Sequence, residues 1–565
     1  MNISDTDRLA NKSSIKSRWS LMEISILTLA MLLALPVIVV LAFVFVPTGD
    51  IWHHLASTVL KDYVVNSLWL MLGVAIGTLL LGVSAAWLTS MCQFPGRGVF
   101  EWALLLPLAM PAYIIAYTYT GMLDFAGPVQ STLRDWFGWG FGDYWFPEIR
   151  SLNGAVLMLT LVLYPYVYLL SRAAFLSQSI CVLDVSRTLG NGPWRTFWLV
   201  AVPLARPAII AGLSLALMEA LADYGTVQFF GVPTFTTGIF RTWFGMGSSA
   251  AAAQLAAGLM IFVFALIFIE RYSRRQARYH HTSRRHQDLR RYQLTGLSAF
   301  LAFLLCFLIL FFGFLLPAGQ LLSWTISVAD YVIDAQFLSL VMNSLKLAAI
   351  AACLALVLAL FLAYGYRLFP SRPIRFAVRL AGMGYAIPGA VIAVGVMIPF
   401  AWIDNTVDSW ARQSFDVSTG LILSGTLVAV TFAYLTRFLA VSLQTVESGL
   451  GKITPSMDEA GRSLGFKPVQ LLSRVHVPML RGSLLTALLL VFVDVLKELP
   501  ATLILRPFNF NTLAVRAFEL ASDERLAEAA PAALAIVLAG IIPVIIISKT
   551  ITRSRQIAAE HRDIA

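Results

Sequence analysis

Two pairs of acidic residues stand inside stretches of the chain that are otherwise apolar. Glu219 and Asp223 form the first pair, and Asp494 and Glu498 form the second pair, at an offset of 275 in the numbering. A spacing of four residues predicts that both carboxylates of a pair lie on one face of a helix. A charge inside a bilayer costs roughly 2.5–3.5 kcal/mol on insertion scales, so such a residue usually faces a cavity, a pathway or a partner.

Carboxylate oxygens are ligands that hard cations prefer, so the two pairs are candidates for the route of a hard trivalent cation. The alternative is structural: the pairs hold two parts of the chain together or lie near the outer surface. Lys497 stands three residues after Asp494 and is positioned to neutralise part of that charge. The sequence leaves both interpretations open.

A polar segment precedes each acidic pair. The first island, residues 184–206, has the sequence DVSRTLGNGPWRTFWLVAVPLAR, and the second island, residues 459–481, has the sequence EAGRSLGFKPVQLLSRVHVPMLR. Eight of the 23 aligned positions are identical at the same constant offset of 275 in the numbering, which indicates a duplicated unit. Each island predicts a short helix, a left-handed turn at Gly190 or Gly465, and a second short helix that begins at a proline.

The composition is that of an integral membrane protein. Hydrophobic residues make up 58% of the chain and charged residues 13%, and the mean hydropathy is +0.77. The net charge of +10 does not indicate nucleic-acid binding, because eight arginines are concentrated between Arg271 and Arg291, a linker flanked by apolar runs. Such a cluster is typical of a cytoplasmic loop. The four cysteines have no close spacing, so we expect neither a disulfide framework nor a tightly bound metal.

Twelve apolar runs are long enough to cross a membrane as helices, six in each of two homologous halves. We predict an all-α integral membrane protein whose first half is residues 1–290 and whose second half is residues 291–565. Other landmarks repeat at offsets between 275 and 277, with a register change of about ten positions near Arg172 and Arg437. The runs lie near 21–46, 64–91, 101–123, 153–177, 207–230, 250–270, 296–323, 341–367, 376–402, 418–446, 482–505 and 528–549.

The order of spans predicts the topology. An even number of spans in each half makes the repeats parallel, so both islands face the same side of the membrane. The arginine-rich linker places that side in the cytoplasm, together with both termini. The segments on the opposite side are predicted to be loops near 124–150, 230–249, 324–340 and 506–527.

The second island carries a recognisable pattern. Glu459 and Ala460 are followed by Gly465 and then by the apolar-proline pair Val477-Pro478. This pattern resembles the signature loop of the permease subunits of binding-protein-dependent ABC importers, which implies a type I, MetI-like membrane fold. In that family the loop fits into a cleft of a cytoplasmic ATPase subunit.

The first island departs from the family pattern at its start. It has Asp184-Val185-Ser186 where the family has Glu-Ala-Ala, but it keeps Gly190 and Pro203. The resemblance implies that two ATPase copies dock on the two islands. The residues implied in docking are Asp184, Arg187, Gly190 and Pro203 in the first island, and Glu459, Ala460, Arg462, Gly465 and Pro478 in the second.

Two further segments narrow the resemblance. The residues MPAYIIAYTYTGMLDFAGPVQS from Met110 and KELPATLILRPFNFNTLAVRAFELASDERLAEAA from Lys497 are similar to the fused ferric-iron importer permeases, which carry both halves in one chain. The resemblance implies a permease of the bacterial inner membrane that moves ferric iron delivered by a periplasmic binding protein. Fused permeases for thiamine or another small solute share this layout and are the alternative.

The chain is not expected to hydrolyse ATP itself. It lacks the pattern G-x-x-x-x-G-K-[ST], so ATP and Mg²⁺ are predicted to bind to the partner subunits, and this chain is predicted to bind no cofactor. An intramembrane enzyme is the competing class. The sequence has no H-E-x-x-H, no G-x-S-x-G and no Cys/His ligand set to support it.

Two arginines are exceptions to the charge rule for the outer side. Arg241 and Arg516 are related by the same offset of 275, and each follows the fifth span of its half. We predict a receptor-facing rim in which they pair with acidic groups of a two-lobed binding protein; the alternative is that each anchors its own loop to lipid headgroups. The same outer loops contain Phe235 and Thr237 in the first half, and Phe510 and Thr512 in the second.

Overall fold

The computed structural model describes most of the chain. Its described residues are 20–140, 142–177, 186, 188, 190, 192–275 and 291–563. Asp184 and Arg187 of the first island, the N-terminal head and residues 276–290 of the arginine-rich linker lie outside these residues.

The described residues are almost entirely helical. Eleven helices are long and apolar enough to cross a membrane, and the number is twelve if the bent pair Arg97–Ala109 and Ala112–Phe137 counts as one span. The two members of that pair meet at an angle of 91°. The prediction of an all-α membrane protein with about twelve spans is confirmed.

The first half contributes helices α1 to α12. Their bounds are α1 Leu21–Ala42, α2 Asp50–Thr58, α3 Leu60–Met91, α4 Arg97–Ala103, α5 Ala112–Leu123, α6 Pro128–Phe137, α7 Leu152–Ser177, α8 Pro193–Thr196, α9 Val202–Ala222, α10 Gly225–Phe229, α11 Phe235–Phe240 and α12 Ser249–Arg275. Short 3-10 helices are Phe43–Phe45 and Leu106–Ala109, and π-helical turns are Phe197–Ala201 and Arg241–Gly245.

The second half contributes helices α13 to α24. Their bounds are α13 Gly296–Leu310, α14 Leu316–Val332, α15 Ala335–Leu368, α16 Arg372–Ala381, α17 Gly389–Phe415, α18 Leu427–Leu450, α19 Pro455–Ser463, α20 Pro468–Leu471, α21 Val477–Leu496, α22 Pro500–Leu505, α23 Leu513–Ser522 and α24 Leu526–Asp563. A 3-10 helix is Gly384–Ala386, and π-helical turns are Phe311–Leu315 and Leu472–His476.

The fifth span of each half differs from its predicted limits. It runs from Trp194 to Ala222 in the first half and from Pro468 to Leu496 in the second, so it begins earlier and ends earlier than the apolar runs suggested. The second short helix predicted for each island is therefore the first turn of the fifth span. A π-helical turn precedes Pro203 and Pro478, and it accommodates the hydrogen bond that a proline cannot donate.

The third span is broken in both halves. In the first half α4 and a 3-10 turn precede Pro111, and in the second half α16 and a 3-10 turn precede Pro388. Each proline is the N-cap of the next helix, α5 or α17. A residue that precedes a proline avoids helical backbone angles, which explains why the continuous apolar runs 101–123 and 376–402 do not form continuous helices.

The structure of the fourth spans shows that the sequence alignment of Arg172 with Arg437 is wrong. Helices α7 and α18 begin at Leu152 and Leu427, which match at the offset of 275, so the register does not change within them. Arg172 lies near the end of α7, whereas Arg437 lies near the middle of α18. The two arginines are therefore not equivalent, and the position equivalent to Arg437 in the first half is Val162.

The two halves are interlocked. Helix α1 packs on α16 and α17 of the second half, while α13 and α14 pack on α3, α4 and α5 of the first half. One cluster of buried apolar residues extends through both halves. A two-stranded parallel sheet, β1 Cys92–Gln93 and β2 Tyr292–Gln293, joins the end of α3 to the start of the second half.

Candidate functional site

A cavity of about 110 Å³ lies between the two halves, and all four predicted carboxylates line it. The charged lining residues are Glu219, Asp223, Asp494, Glu498, Arg437 and Lys497. The tyrosines in the lining are Tyr113, Tyr166, Tyr224 and Tyr385. Four carboxylates face two cations, so the formal charge of the lining is negative.

Arg437 connects the two halves inside this cavity. Its Nη1 lies 3.1 Å from Glu498 Oε2, and its Nη2 lies 3.8 Å from Glu219 Oε2 of the first half. The Arg437 side chain is 7% exposed and the Glu498 side chain 5%. Gly389 makes room for this contact, because a Cβ at that position would collide with both side chains.

The second member of each acidic pair does not lie on the span helix. Helix α9 ends at Ala222 and helix α21 ends at Leu496, so Asp223 and Glu498 follow the helix ends. The prediction that each pair shares one helical face is therefore wrong, although all four carboxylates reach the same cavity. The cause is local, because each carboxylate accepts backbone N–H groups of the next short helix: Asp223 from Thr226 and Val227, and Glu498 from Ala501.

The remaining carboxylate of the second pair has a partner of its own. Lys497 Nζ lies 2.8 Å from Asp494 Oδ1. Among the described residues, no group of three or more His, Cys, Asp or Glu side chains is arranged to hold a metal ion. The carboxylates in the cavity are thus bound to groups of the chain rather than directed at a common centre.

The tyrosines also link the halves. The hydroxyl groups of Tyr166 and Tyr385 lie 3.4 Å apart, one from each half. Tyr113 packs so closely against Gly225 that a Cβ at this glycine would collide with the tyrosine. The buried Tyr113 hydroxyl has no hydrogen-bond partner within the described residues. The sequence analysis missed Arg437, Tyr166 and Tyr385 as lining residues. Arg437 could have been found, because it is a lone cation inside the apolar run 418–446.

Both islands turn at a glycine in the left-handed region, as predicted. The φ angle is +79° at Gly190 and +83° at Gly465. In the second island, exposed apolar side chains flank the turn: Leu464 is 75% exposed and Val469 is 74% exposed. The other described residues of the docking prediction are also exposed, namely Pro203, Glu459, Ala460, Arg462 and Pro478.

A partly buried cluster of hydrogen-bonded side chains lies beside the second island. Asp458, next to Glu459, lies 2.7 Å from Arg367 Nε and 2.8 Å from His476 Nε2. Arg367 also donates to the carbonyl oxygens of Leu450 and Ile453 at 2.7 and 2.9 Å. Burial alone raises the pKa of Asp458, but the hydrogen bonds from Arg367 and His476 outweigh it and hold the pKa below its ordinary value.

The first island has different residues at the matching positions. Arg367 and His476 correspond to Cys92 and Ala201 at the offset of 275, and Asp458 corresponds to position 183, which lies outside the described residues. A hydrogen bond of 3.1 Å between the hydroxyls of Ser186 and Thr196 lies under the first turn. The sequence analysis missed the support cluster, because its three members are far apart in the chain.

The predicted outer rim is only partly exposed. Arg241 is exposed and hydrogen-bonded to Tyr63, and Arg516 is half-buried on helix α23. Phe235, Thr237 and Thr512 are buried, so their side chains do not contribute to an exposed surface of these loops. The two loops after the fifth spans contain the short helices α11 and α23. Thr512 caps α23 with its side chain, and the Thr234 backbone N–H donates to Thr237 Oγ1 at the start of α11.

Comparison with known proteins identifies relatives of this chain. No family model matches the chain. The Fe(3+)-transport system permease protein FbpB 2 of Haemophilus influenzae is 28% identical over 495 residues, which cover 86% of this chain and 89% of the relative. The ferric transport system permease protein FbpB of Actinobacillus pleuropneumoniae is 24% identical over 78% of this chain and 64% of its own length.

A shorter relative matches about one third of the chain. The molybdenum transport system permease protein ModB of Escherichia coli is 31% identical over 190 residues, which cover 33% of this chain and 80% of the relative. The multi-pass helical architecture, the duplicated islands and these similarities agree. The chain belongs to the family of permease subunits of binding-protein-dependent ABC importers, and it carries both halves of the permease in one polypeptide.

Proposed function

We propose that this permease moves ferric iron across the bacterial inner membrane. The observation that carries the proposal is the extent of similarity to the ferric permeases. The Haemophilus influenzae relative matches over 86% of the chain and so spans both halves, whereas the molybdenum permease of Escherichia coli matches over 33%. Similarity over a third of the chain is explained by the shared permease architecture, whereas similarity over 86% of the chain includes both halves in one polypeptide and is more specific.

The charge of the cavity supports a cation as cargo. Four carboxylates against Arg437 and Lys497 leave a formal excess of negative charge in the cavity between the halves. An oxyanion would be repelled there, while a hard cation would find oxygen ligands from carboxylates and phenols. This argument counts against the solute named for the molybdenum relative.

The exposed islands support docking of two cytoplasmic ATPase copies. Their turns are exposed, and the large apolar side chains Leu464 and Val469 stand at the tip of the second island beside exposed Glu459 and Arg462. Apolar groups this exposed on a protruding segment are typical of a surface that a partner covers. ATP and Mg²⁺ would bind to that partner and not to this chain.

One continuous helix joins each island to the cavity. The helix Pro468–Leu496 has 29 residues and carries Asp494, and the helix Trp194–Ala222 has 29 residues and carries Glu219. At 1.5 Å per residue each helix is about 43 Å long, which exceeds the roughly 30 Å apolar thickness of a bilayer. A displacement of an island by ATP hydrolysis would therefore be transmitted to the carboxylates of the cavity.

The opposite end of the molecule is the proposed docking side of a periplasmic binding protein. Arg241 and Arg516 stand there with an exposed and a half-buried side chain. Reversing both charges, as R241E/R516E, should weaken the ATPase activity that the binding protein stimulates and leave the basal activity unchanged. An equal loss of both activities would indicate misfolding, and no loss would favour contact of the arginines with lipid headgroups.

Reconstituted transport tests the cargo. The full chain, its ATPase and its binding protein are placed in liposomes with ATP inside, and uptake of radiolabelled ferric iron, thiamine and molybdate is compared. ATP-dependent uptake of iron alone is expected, and an ATPase variant that binds but does not hydrolyse ATP is the control. ATP-dependent uptake of thiamine or molybdate without iron would overturn the proposed cargo but not the permease architecture.

A further inference from the structure

One arginine in the cavity occupies the position that a passing cation would need. Arg437 lies between Glu498 of its own half, at 3.1 Å, and Glu219 of the other half, at 3.8 Å. These two carboxylates come from the two fifth-span segments, and the guanidinium is the group that joins them. The first half has Val162 at the matching position, so this cation has no symmetric copy.

We propose that Arg437 is a tethered counter-cation that keeps the empty cavity from binding mobile cations. Its guanidinium takes the place between Glu219 and Glu498 until the cargo displaces it. This inference rests on the proposed function, because it takes the cargo to be a cation. It explains how a lining with four carboxylates remains without a metal-binding group among the described residues.

The chemistry of arginine suits this role. A guanidinium stays protonated at any physiological pH, so its occupancy of the cavity does not depend on proton concentration. Its planar fork is able to contact two carboxylates at once, which a lysine ammonium at the same position would do less well. The Arg437 Nε is buried and has no hydrogen-bond partner within the described residues, so the side chain is held mainly by these two acids.

The same geometry favours a cargo of high charge. The attraction between a cation and a carboxylate at a given distance scales with the charge of the cation. A monovalent ion offers the two acids no more charge than Arg437 already supplies, and its own dehydration is a further cost. A trivalent cation offers three times the charge and is able to displace the guanidinium. Arg437 therefore restricts binding in the cavity to cations of high charge.

Terbium binding tests the proposal on the full chain in lipid nanodiscs. Tb³⁺ is a trivalent ion that prefers oxygen ligands, and its luminescence is sensitised by nearby tyrosines such as Tyr113 and Tyr166. The variant R437Q should bind Tb³⁺ at least about tenfold more tightly than the unmodified chain, a change of about 1.4 kcal/mol. The triple variant R437Q/E219Q/E498Q should lose that gain, which locates the ion at these two acids.

Two further variants control for folding and for general loss of charge. Arg172 is also buried and lies 3.1 Å from Glu101, outside the cavity lining, so R172Q should not change Tb³⁺ binding. R437K should give an intermediate affinity, since a lysine neutralises one acid without bridging both. If R437Q does not yield folded protein, a rise in affinity in R437K supports the proposal.

The outcomes separate this inference from the proposed function. No gain of Tb³⁺ binding in folded R437Q, or in R437K where R437Q does not fold, overturns the counter-cation even if iron uptake is observed. A gain that survives the triple variant also overturns it, because the ion would then lie elsewhere. A gain that the triple variant removes supports it, even if uptake assays assign a cation other than iron as cargo.

Discussion

The two islands share a glycine turn but differ in the residues that pack against the turn. Both turn at a left-handed glycine, and both continue into a fifth span through a π-helical turn. Under the second island, Asp458 is bound to Arg367 and His476, whereas the matching positions of the first island hold Cys92 and Ala201. Duplication has thus preserved the glycine turn and the π-helical entry to the fifth span, while the residue types at the positions of the Asp458 cluster have diverged.

The proposed docking of an ATPase accounts for this difference. On that proposal a partner contacts the exposed turn, so the glycine turn is the feature that both copies need to keep. The support only has to hold the turn in place, and a charged cluster or an apolar contact with a hydroxyl pair such as Ser186–Thr196 is able to do so. The second island should therefore be the more rigid copy at neutral pH.

The largest expected effect comes from breaking the charged support. Asp458→Leu introduces the residue found at position 183 of the first half and leaves Arg367 and His476 without their carboxylate. Removing one partner of a fully buried ion pair typically costs about 3–5 kcal/mol, and this partly buried pair should cost less than that. Faster hydrogen exchange across Pro455–Leu471 and a large loss of coupled ATP hydrolysis are expected.

A matched control replaces the whole cluster. The variant R367C/D458L/H476A carries the three residues of the first half at the equivalent positions. Because replacing an entire buried ion pair by apolar residues is often close to neutral, this variant should exchange more slowly than D458L alone. Equal exchange in both would contradict the assignment of the cluster as the support of the second island.

The second effect concerns the turns themselves. Gly465→Val and Gly190→Val each force a β-branched residue into a left-handed conformation, which costs of order 1–3 kcal/mol. We expect membrane insertion to persist and coupled ATP hydrolysis to fall in both variants, with the larger fall in G465V because its rigid support resists relaxation. ATPase assays with the reconstituted partner measure this, and unchanged coupling in G465V would remove the docking assignment.

A smaller effect is expected under the first island. Ser186→Ala removes one partner of the hydrogen bond to Thr196, and a typical net contribution of such a bond is about 0.5–1.5 kcal/mol. Hydrogen exchange near Thr196 should quicken, while exchange across Pro455–Leu471 stays as in the unmodified chain. A change in the second island instead would mean that the two supports are coupled and not independent.

The smallest expected effect is a loss of folding stability at acidic pH. The pKa of Asp458 is held below its ordinary value, so the folded island binds its proton less readily than the unfolded chain does. The stabilisation is therefore fully present above the ordinary aspartate pKa of about 3.9 and is lost as the pH falls through the lower folded pKa. The melting temperature of the unmodified chain should fall below about pH 4 by more than the melting temperature of R367C/D458L/H476A does. Parallel curves of melting temperature against pH would contradict the role of Asp458.

The membrane class, the two halves and the location of the islands follow from the sequence alone. These features follow from long apolar runs, from a fixed offset of 275 in the numbering and from glycine turns, all of which are read directly along the chain. It also indicated that Glu219, Asp223, Asp494 and Glu498 need a special environment, because an isolated charge in a membrane is costly. Each of these conclusions depends on local cost and periodicity.

The contacts between side chains of distant segments depend on the tertiary structure. Arg437 and Glu219 are brought together by the packing of the two halves, and Arg367, Asp458 and His476 by the packing of α15, α19 and the π-helical turn before α21. Local competition for backbone hydrogen bonds moved Asp223 and Glu498 beyond the helix ends, and Pro111 and Pro388 broke the third spans. Contacts between distant segments depend on helix orientation and on hydrogen bonds that compete with the helix, and neither is encoded in the spacing of residues along one span.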